Sequence, residues 1–356
     1  MKRIMIILLA VFLLILLVVG GYMAYVFLDY SRIEDAQDLG VAQNSEALMP
    51  VQTQQRIVSW NIGFGAYNSD YSFFMDGGTE SRAYSKEICE SNVQTVIEGL
   101  KEQAADIMLV QEADVKGTRS HGVNQVSMIK NTFLNSHSSV FAENYNSSYL
   151  FYPIHKPIGA NRSGILTLAD VQVESALRIS LPIETGFNKF FDLDRCYSIS
   201  RIPVENGKTL CLYNFHLSAY TSDGSIATEQ LGLLLKDMQA EYSAGNYVIA
   251  GGDFNKDVWG DSAAYTGIPG ENANWCQPFP LELLPEGITL VDSLNTEKLV
   301  LSCRDTAAPY EKGKTFEVTL DGFMVSDNVE VVSCEVIDAG FAVSDHNPVR
   351  MDFKLM

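Results

Sequence analysis

Residues 247–255 read Tyr-Val-Ile-Ala-Gly-Gly-Asp-Phe-Asn. Tyr247–Ala250 is a short apolar run suited to a buried strand, and two glycines lead from it into an acid and an amide. Just upstream, Leu231, Leu234, Leu235 and Met238 recur at i, i+3, i+4 and i+7, so Ile226–Tyr242 is predicted to be a helix. Gly245 closes that helix before the strand begins. A carboxylate placed just past an apolar strand is held rigidly and can reach into a pocket.

The same arrangement recurs along the chain. Asn61 follows Val58-Ser59-Trp60, Glu112 follows Ile107–Gln111, and His216 follows Leu212–Phe215. Asp321 lies within Val318–Val325, and Asp345-His346-Asn347 precedes the last apolar run. One such residue is readily explained as a loop cap. So many of them at strand ends point to a shared site. Glu and Asp offer hard oxygens to Mg²⁺ or Mn²⁺. Histidine serves as base or electrophile, and Asn orients a water or a phosphate oxygen without adding charge.

Strands are predicted at Arg56–Ile62, Asp106–Gln111, Ser148–Tyr152, Gly164–Leu168, Phe190–Pro203 and Thr209–Leu217. More follow at Tyr247–Ala250, Thr289–Asp292, Phe316–Ser326, Val329–Asp338 and Val349–Leu355. Asn206-Gly207 and Asp327-Asn328 read as hairpin turns. Helices are expected at Lys86–Gln103 and Val123–Leu134 besides Ile226–Tyr242. Strands outnumber helices and do not alternate with them strictly. The expected class is therefore α+β, with two stacked mixed sheets flanked by a few helices.

In this order, Trp60-Asn61, Gln111-Glu112, Asn214-Phe215-His216, Gly252-Asp253-Phe254-Asn255, Leu320-Asp321 and Ser344-Asp345-His346 resemble the endonuclease/exonuclease/phosphatase superfamily. The resemblance runs from residue 56 to the C-terminus. It implies a four-layer α/β sandwich and a divalent-metal-dependent phosphoesterase. It also implies that Glu112 is the principal metal ligand, helped by Asn61, with Asp345 a further metal-side carboxylate. Asp253 and Asn255 resemble the pair that orients the attacking water and the phosphate. His346, oriented by Asp321, resembles the base or phosphate-binding imidazole, and His216 the second imidazole. Arg162 lies where several members place a phosphate-binding Arg. Deoxyribonuclease-like members carry charged residues just before the strand that here begins Ser147-Ser148, so a partner for the far nitrogen of His216 is not identified. No subfamily signature is complete.

The first residues have a different character. Ile4–Leu28 carries no charged side chain, and a helix needs about 20 apolar residues to cross the hydrocarbon core. Lys2 and Arg3 precede the run and Asp29, Glu34, Asp35 and Asp38 follow it. The expectation is a single-pass anchor (residues 1–29) in the cell membrane, with a cytoplasmic N-terminus and an extracytoplasmic catalytic domain. The competing reading, a cleaved signal peptide, usually has a shorter apolar stretch of about 7–15 residues. Residues 30–55 read as a juxtamembrane linker and residues 56–356 as the catalytic domain.

The chain has 25 basic and 44 acidic residues, a net charge of −19. Taking Lys2 and Arg3 from the 25 leaves 23 against 44, so the outer part is at −21. Such a surface disfavours long nucleic acid and favours a small or membrane-presented phosphate ester, such as a lipid headgroup or a nucleotide. A secreted-side nuclease and a non-catalytic binding module on the same fold are the alternatives. Six cysteines without C-x-x-C spacing read as separate buried thiols. A register that places Glu205 opposite Lys208 sets Cys211 against Ile202 and Cys196 against Leu217. Two aromatic segments, Phe64–Ser85 and Asp257–Gly287, could select substrate or fold over small cores of their own. Asn146 and Asn161 each head a glycosylation triplet, a pattern that also arises by chance.

Overall fold

The computed structural model describes residues 2–42, 45–190, 194–219, 225–270, 276–295 and 297–356. Its first elements are α1 (Lys2–Asp29), β1 (Gln37–Asp38), β2 (Val41–Ala42), β3 (Gln55–Asn61) and α2 (Lys86–Gln103). Next come β4 (Ile107–Gly117), α3 (Gln125–Phe133), β5 (Ser138–Asn146), β6 (Asn161–Ala169) and β7 (Ser175–Ser180). β8 (Cys196–Pro203), β9 (Thr209–His216), α4 (Ser225–Ser243), β10 (Tyr247–Asp253) and α5 (Ser262–Thr266) continue the chain. The last are β11 (Ile288–Leu290), β12 (Cys303–Arg304), β13 (Glu317–Val318), β14 (Asp321–Ser326), β15 (Val329–Val336) and β16 (Val349–Leu355).

Two mixed sheets of 7 strands each form the frame, in the orders β1-β7-β8-β9-β10-β14-β11 and β15-β16-β3-β4-β6-β5-β2. Ile57, Leu109, Leu212, Ile249, Phe323 and Met351 fill the space between them. On one outer face Val93, Val96, Ile97 and Leu100 of α2, with Ile129 of α3, cover Val58, Trp60 and Val110. On the other, Leu231, Leu234, Leu235 and Met238 of α4 cover Tyr213, Phe215 and Val248. Helix, sheet, sheet and helix thus stack as the sequence pattern implies. Burial on both faces of the central strands, uninterrupted along Leu210–His216 and Tyr247–Asp253, explains why their apolar runs are nearly continuous.

Several details differ from the sequence expectation. The run at Phe316–Ser326 is not one strand: Glu317–Val318 pairs with β12 in a small sheet of its own, and β14 begins at Asp321. Phe190 ends a short 3-10 turn, and the strand expected to start there begins at Cys196. Residues 148–152 do not form a strand: only Leu150 makes a bridge, to Gly159. β5 and β7 were not anticipated, because their apolar positions are diluted by Ser, Asn and a fully buried Arg178. Asp327-Asn328 is not a hairpin turn, because β14 pairs with β10 and β11 while β15 pairs with β16 in the other sheet. Those two residues carry the chain from one layer to the other. The Asn206-Gly207 hairpin is shifted by one residue, so Cys211 lies opposite Arg201. All six cysteines are free thiols, as expected.

Helix α1 spans 28 residues and is long and apolar enough to cross a membrane. The stretch that follows it is part of the folded unit. Gln37 and Asp38 add an edge to β7, Val41 and Ala42 add one to β5, and Met49 is fully buried beside Val204.

Candidate active site

Strand register brings the polar residues together. Asp253, the last residue of β10, lies beside His216 of parallel β9 and Asp321 of antiparallel β14. Gly252 makes this possible: its φ is +154°, and an added Cβ would lie 2.1 Å from the Phe215 carbonyl oxygen. In the facing sheet Asn61 is paired with Gln111, and Glu112 follows with a left-handed φ of +55°. That backbone is costly for a non-glycine residue and is often retained at functional sites. The loop before β16 supplies Asp345 and His346. Trp60 Nε1 donates to the His346 carbonyl (2.9 Å), and Ser344 Oγ donates to the Asn61 carbonyl (2.8 Å).

The side chains converge on Asp253. Its Oδ2 accepts from Asn61 Nδ2 at 3.0 Å and lies 3.4 Å from His216 Nε2 and 3.8 Å from His346 Nε2. Its Oδ1 accepts from the Asn255 backbone N–H at 2.8 Å, while Asn255 Nδ2 donates to the Leu217 carbonyl. Asp321 Oδ2 faces His346 Nδ1 at 2.7 Å and accepts from Ser302 Oγ at 2.7 Å. Asp253, Asp321 and His346 each place a ligand-type atom within 4.8 Å of the others.

The two imidazoles differ in charge. Burial, reinforced by Arg195, His346 and Arg119, drives His216 well below its ordinary range, so it is neutral. Burial opposes charge on His346 too, but Asp321 in contact, with Cys303 and Asp345 nearby, outweighs it and holds the ring protonated. Asp253 is raised by burial first and by the Asp321 charge second. Burial pushes Asp345 up to about 6, with Glu112 adding repulsion and His346 opposing it. Among the described residues several groups find no hydrogen-bond partner: His216 Nδ1, Asp321 Oδ1, Arg195 Nε and Arg304 Nε are all buried. Buried polar atoms are usually paired, and these four, of eleven unpaired among the described residues, lie on or behind the wall of a single cavity.

Glu112, Asp253, Asn255, Asp345, His216 and His346 line a cavity of about 430 Å³. Asn61 and Asp321 lie behind this lining and hold its members. Asn61 turns its amide nitrogen, not its oxygen, toward Glu112 (3.3 Å) and Asp253, while its oxygen accepts from Gly63 N–H. Arg162 is not among the lining residues; it lies on β6, half exposed, and pairs with Glu143. Three arginines that the sequence pattern did not single out occupy the cavity wall instead: Arg119, Arg195 and Arg304. Arg119 is buried, bonds Asp114 through two nitrogens and stacks 4.1 Å over the Phe64 ring. Arg195 lies beside the His216 carbonyl, and Arg304 donates to the Asn68 and Tyr71 carbonyls. No spacing rule marks them, because they sit in loops or at a strand edge.

Of the two aromatic segments, the first reaches the site: Phe64, Tyr67, Phe73, Phe74 and Met75 line one wall. In the second, Trp259 packs on Tyr265, and Phe279 joins the core beneath α4. Trp275 lies outside the described residues. Asn161 is buried and bonded to the Ile158 and Gly159 carbonyls, which leaves no room for a glycan.

Two stacked mixed sheets with a polar cavity are the frame of a phosphoester-cleaving family, and a match to that family's model sets the class of this chain. Residues 58–346 match the Endonuclease/Exonuclease/phosphatase family, and the chain belongs to it. Members of this family are hydrolases of phosphoester bonds. Among solved structures, the chain is similar to an endonuclease/exonuclease/phosphatase from Beutenbergia cavernae (TM-score 0.55, 15% identity, 85% of this chain and 72% of that one). It is also similar to D. rerio TDP2 complexed with single-strand DNA product (TM-score 0.54, 17% identity, 85% and 100%). A third is ANGEL2, a 2',3'-cyclic phosphatase, in complex with adenosine-2',3'-vanadate (TM-score 0.54, 14% identity, 85% and 96%). At these identities the likeness is one of fold. No curated protein matches the chain.

Proposed function

We propose that this chain is a membrane-anchored, divalent-metal-dependent phosphoesterase that cleaves a phosphodiester or phosphomonoester by in-line attack of water. The observation that carries the reading is Asp253: a buried carboxylate with a raised proton affinity, set between a neutral and a cationic imidazole. A base poised nearer neutral pH than an ordinary carboxylate suits proton removal from water.

The donor set fits a hard divalent cation. Four carboxylates gather here, and Glu112 and Asp345 repel one another across the cavity. Glu112 and Asp345 would hold Mg²⁺ or Mn²⁺, with Asn61 fixing the Glu112 carboxylate. Burial pushes the nearby Cys303 thiol up to about 12, so it stays protonated and offers no soft ligand. When bound, the ion supplies positive charge to a phosphoryl oxygen. The remaining work falls to the chain. Asp253, held by Asn61 and the Asn255 N–H, takes the proton of the attacking water. His346, fixed by Asp321, donates from Nε2 to a phosphoryl oxygen as negative charge grows there. His216 orients the phosphate as a neutral imidazole. Arg195 and Arg304 turn the wall positive within an acidic surface, and Arg162, held by Glu143 outside the cavity, takes no part.

Helix α1 anchors this domain, with Lys2 and Arg3 on the cytoplasmic side and the catalytic domain outside the cell membrane. The test is hydrolysis of bis(p-nitrophenyl) phosphate and p-nitrophenyl phosphate by the detergent-purified full chain. Turnover is expected with Mg²⁺ or Mn²⁺ and should disappear with EDTA. Turnover of both substrates that survives EDTA would refute the metal assignment, and hydrolysis of neither would refute the reading as an enzyme.

A further inference from the structure

The loop at residues 148–154 links two features described above: the anchor helix and the cavity. Tyr22 OH donates to the Tyr149 carbonyl (3.2 Å) and accepts from Phe151 N–H (3.5 Å). Tyr25 OH accepts from Tyr149 N–H (3.1 Å), and Ser148 Oγ donates to Asp29 (2.6 Å). The Tyr22 and Phe151 rings meet edge to face at 5.2 Å. This docking fixes the depth of the loop. A helix rises about 1.5 Å per residue, so the uncharged run from Ile4 reaches a span of about 30 Å near Met23. Tyr22 therefore lies at the outer margin of the hydrocarbon, where aromatic hydroxyls prefer to sit.

Whatever is bonded to Tyr22 shares that depth. Phe151 is 54% exposed, Tyr152 65% and Ile154 87%. Such a cluster of apolar side chains is unusual on a water-facing loop. It is also continuous with the cavity. Leu150 and Tyr152 line the cavity, the Tyr152 ring lies 5.6 Å from that of Phe74, and exposed Met75 follows.

We infer that the cavity mouth is seated on the bilayer that α1 spans, with Phe151, Tyr152 and Ile154 inserted at the headgroup boundary. A phosphoester lipid of that leaflet then enters sideways, its headgroup against Asp253 and its apolar part along the Phe74–Tyr152 wall. The inference rests on the proposed membrane span and phosphoesterase activity. It adds which face meets the membrane and which class of substrate is presented.

The test uses the full chain in nanodiscs of phosphatidylcholine brominated on its acyl chains, with tryptophan emission as the readout. Three variants each add one fluorophore: L14W within α1, I154W on the loop, and V332W on the sheet edge farthest from β5. The span requires quenching of the L14W signal. The inference requires that I154W lose about half of its added emission, because insertion reaches about 5–10 Å into the boundary, while V332W loses none. Quenching of L14W but not of I154W would overturn the docking and leave the span intact. No quenching of L14W would overturn both. In the same discs, I154S should lower phospholipid headgroup release about fivefold and leave bis(p-nitrophenyl) phosphate turnover unchanged. A parent protein that cleaves the soluble diester but no phospholipid would overturn the substrate class while leaving the phosphoesterase reading standing.

Discussion

Arg56 and Asn61 stand on the same strand, about 16 Å apart, in opposite kinds of surroundings. At the Arg56 end the charges are matched. Arg56 grips Asp352 through two nitrogens (2.7 and 3.1 Å), donates to the Gln103 carbonyl, and its backbone N–H reaches Asp106. Hydrogen bonding to its partner first, then charge, shifts each toward its ionised form. At the Asn61 end four carboxylates crowd two imidazoles, Glu112 and Asn255 hold left-handed backbone, and several buried donors and acceptors find no partner among the described residues. One end holds matched charges, and the other, under the proposed function, is where the ligand binds. The fold tolerates the second because the inter-sheet core holds the strands in register from both sides.

Substitutions at the two ends should therefore separate activity from stability. The largest effect should come from H346Q. It removes the imidazolium but keeps a donor, and turnover should fall about 10³-fold, near the usual worth of acid–base or charge-stabilising groups. Next, R195M should raise KM for a phosphodiester about 10-fold, the value of one charge-assisted bond, with a smaller change in kcat. Steady-state kinetics would check both; a kcat loss in R195M without a KM rise would move Arg195 from binding to chemistry.

At the far end, D352N should leave turnover intact and cost about 1 kcal/mol in a denaturant melt at neutral pH, since the pair is only partly buried. Asp352 has a depressed folded pKa, so its contribution is present above its unfolded pKa and lost as pH falls through the folded value. The gap between D352N and parent should therefore close in acid. Asp170 is the exception at this end. Burial, with Asp106 beside it, pushes its carboxyl up to about 6, and among the described residues Oδ1 has no partner. The sign is reversed here: the folded state is penalised progressively as pH rises from about 4 to 6. D170N should then stabilise by about 1 kcal/mol above pH 6, discounted for partial exposure, and by nothing near pH 4. A gain that is the same at both pH values would contradict the burial argument.

Much of the active end was readable from the sequence, for a physical reason. A polar residue that closes an apolar run is a local pattern, and Asn61, Glu112, His216 and Asp253 all show it, while Asp321 opens β14. Their convergence follows once the strands stack. The arginines escaped because nothing local distinguishes Arg195 or Arg304 from a surface Arg; only long-range packing buries them. Arg162 illustrates the converse: its sequence neighbourhood matched, but Glu143 on the neighbouring strand β5 holds its guanidinium. The Asp327-Asn328 turn failed likewise, because a two-residue turn looks the same whether the chain pairs back or changes sheet. Residues 148–152 read as a strand because aromatics favour one, yet their N–H and carbonyl groups bond the hydroxyls of α1. A lone segment cannot reveal that partner.

The most direct test compares D253N with D352N in the full chain, measuring phosphodiester turnover and unfolding free energy side by side. The account predicts that D253N loses about 10³-fold in turnover with stability unchanged or higher, because it removes a buried charge beside Asp321. D352N should do the reverse. Parent-like turnover in D253N, or a loss of activity no larger than its loss of folded protein, would contradict the assignment of Asp253 as the centre of the site.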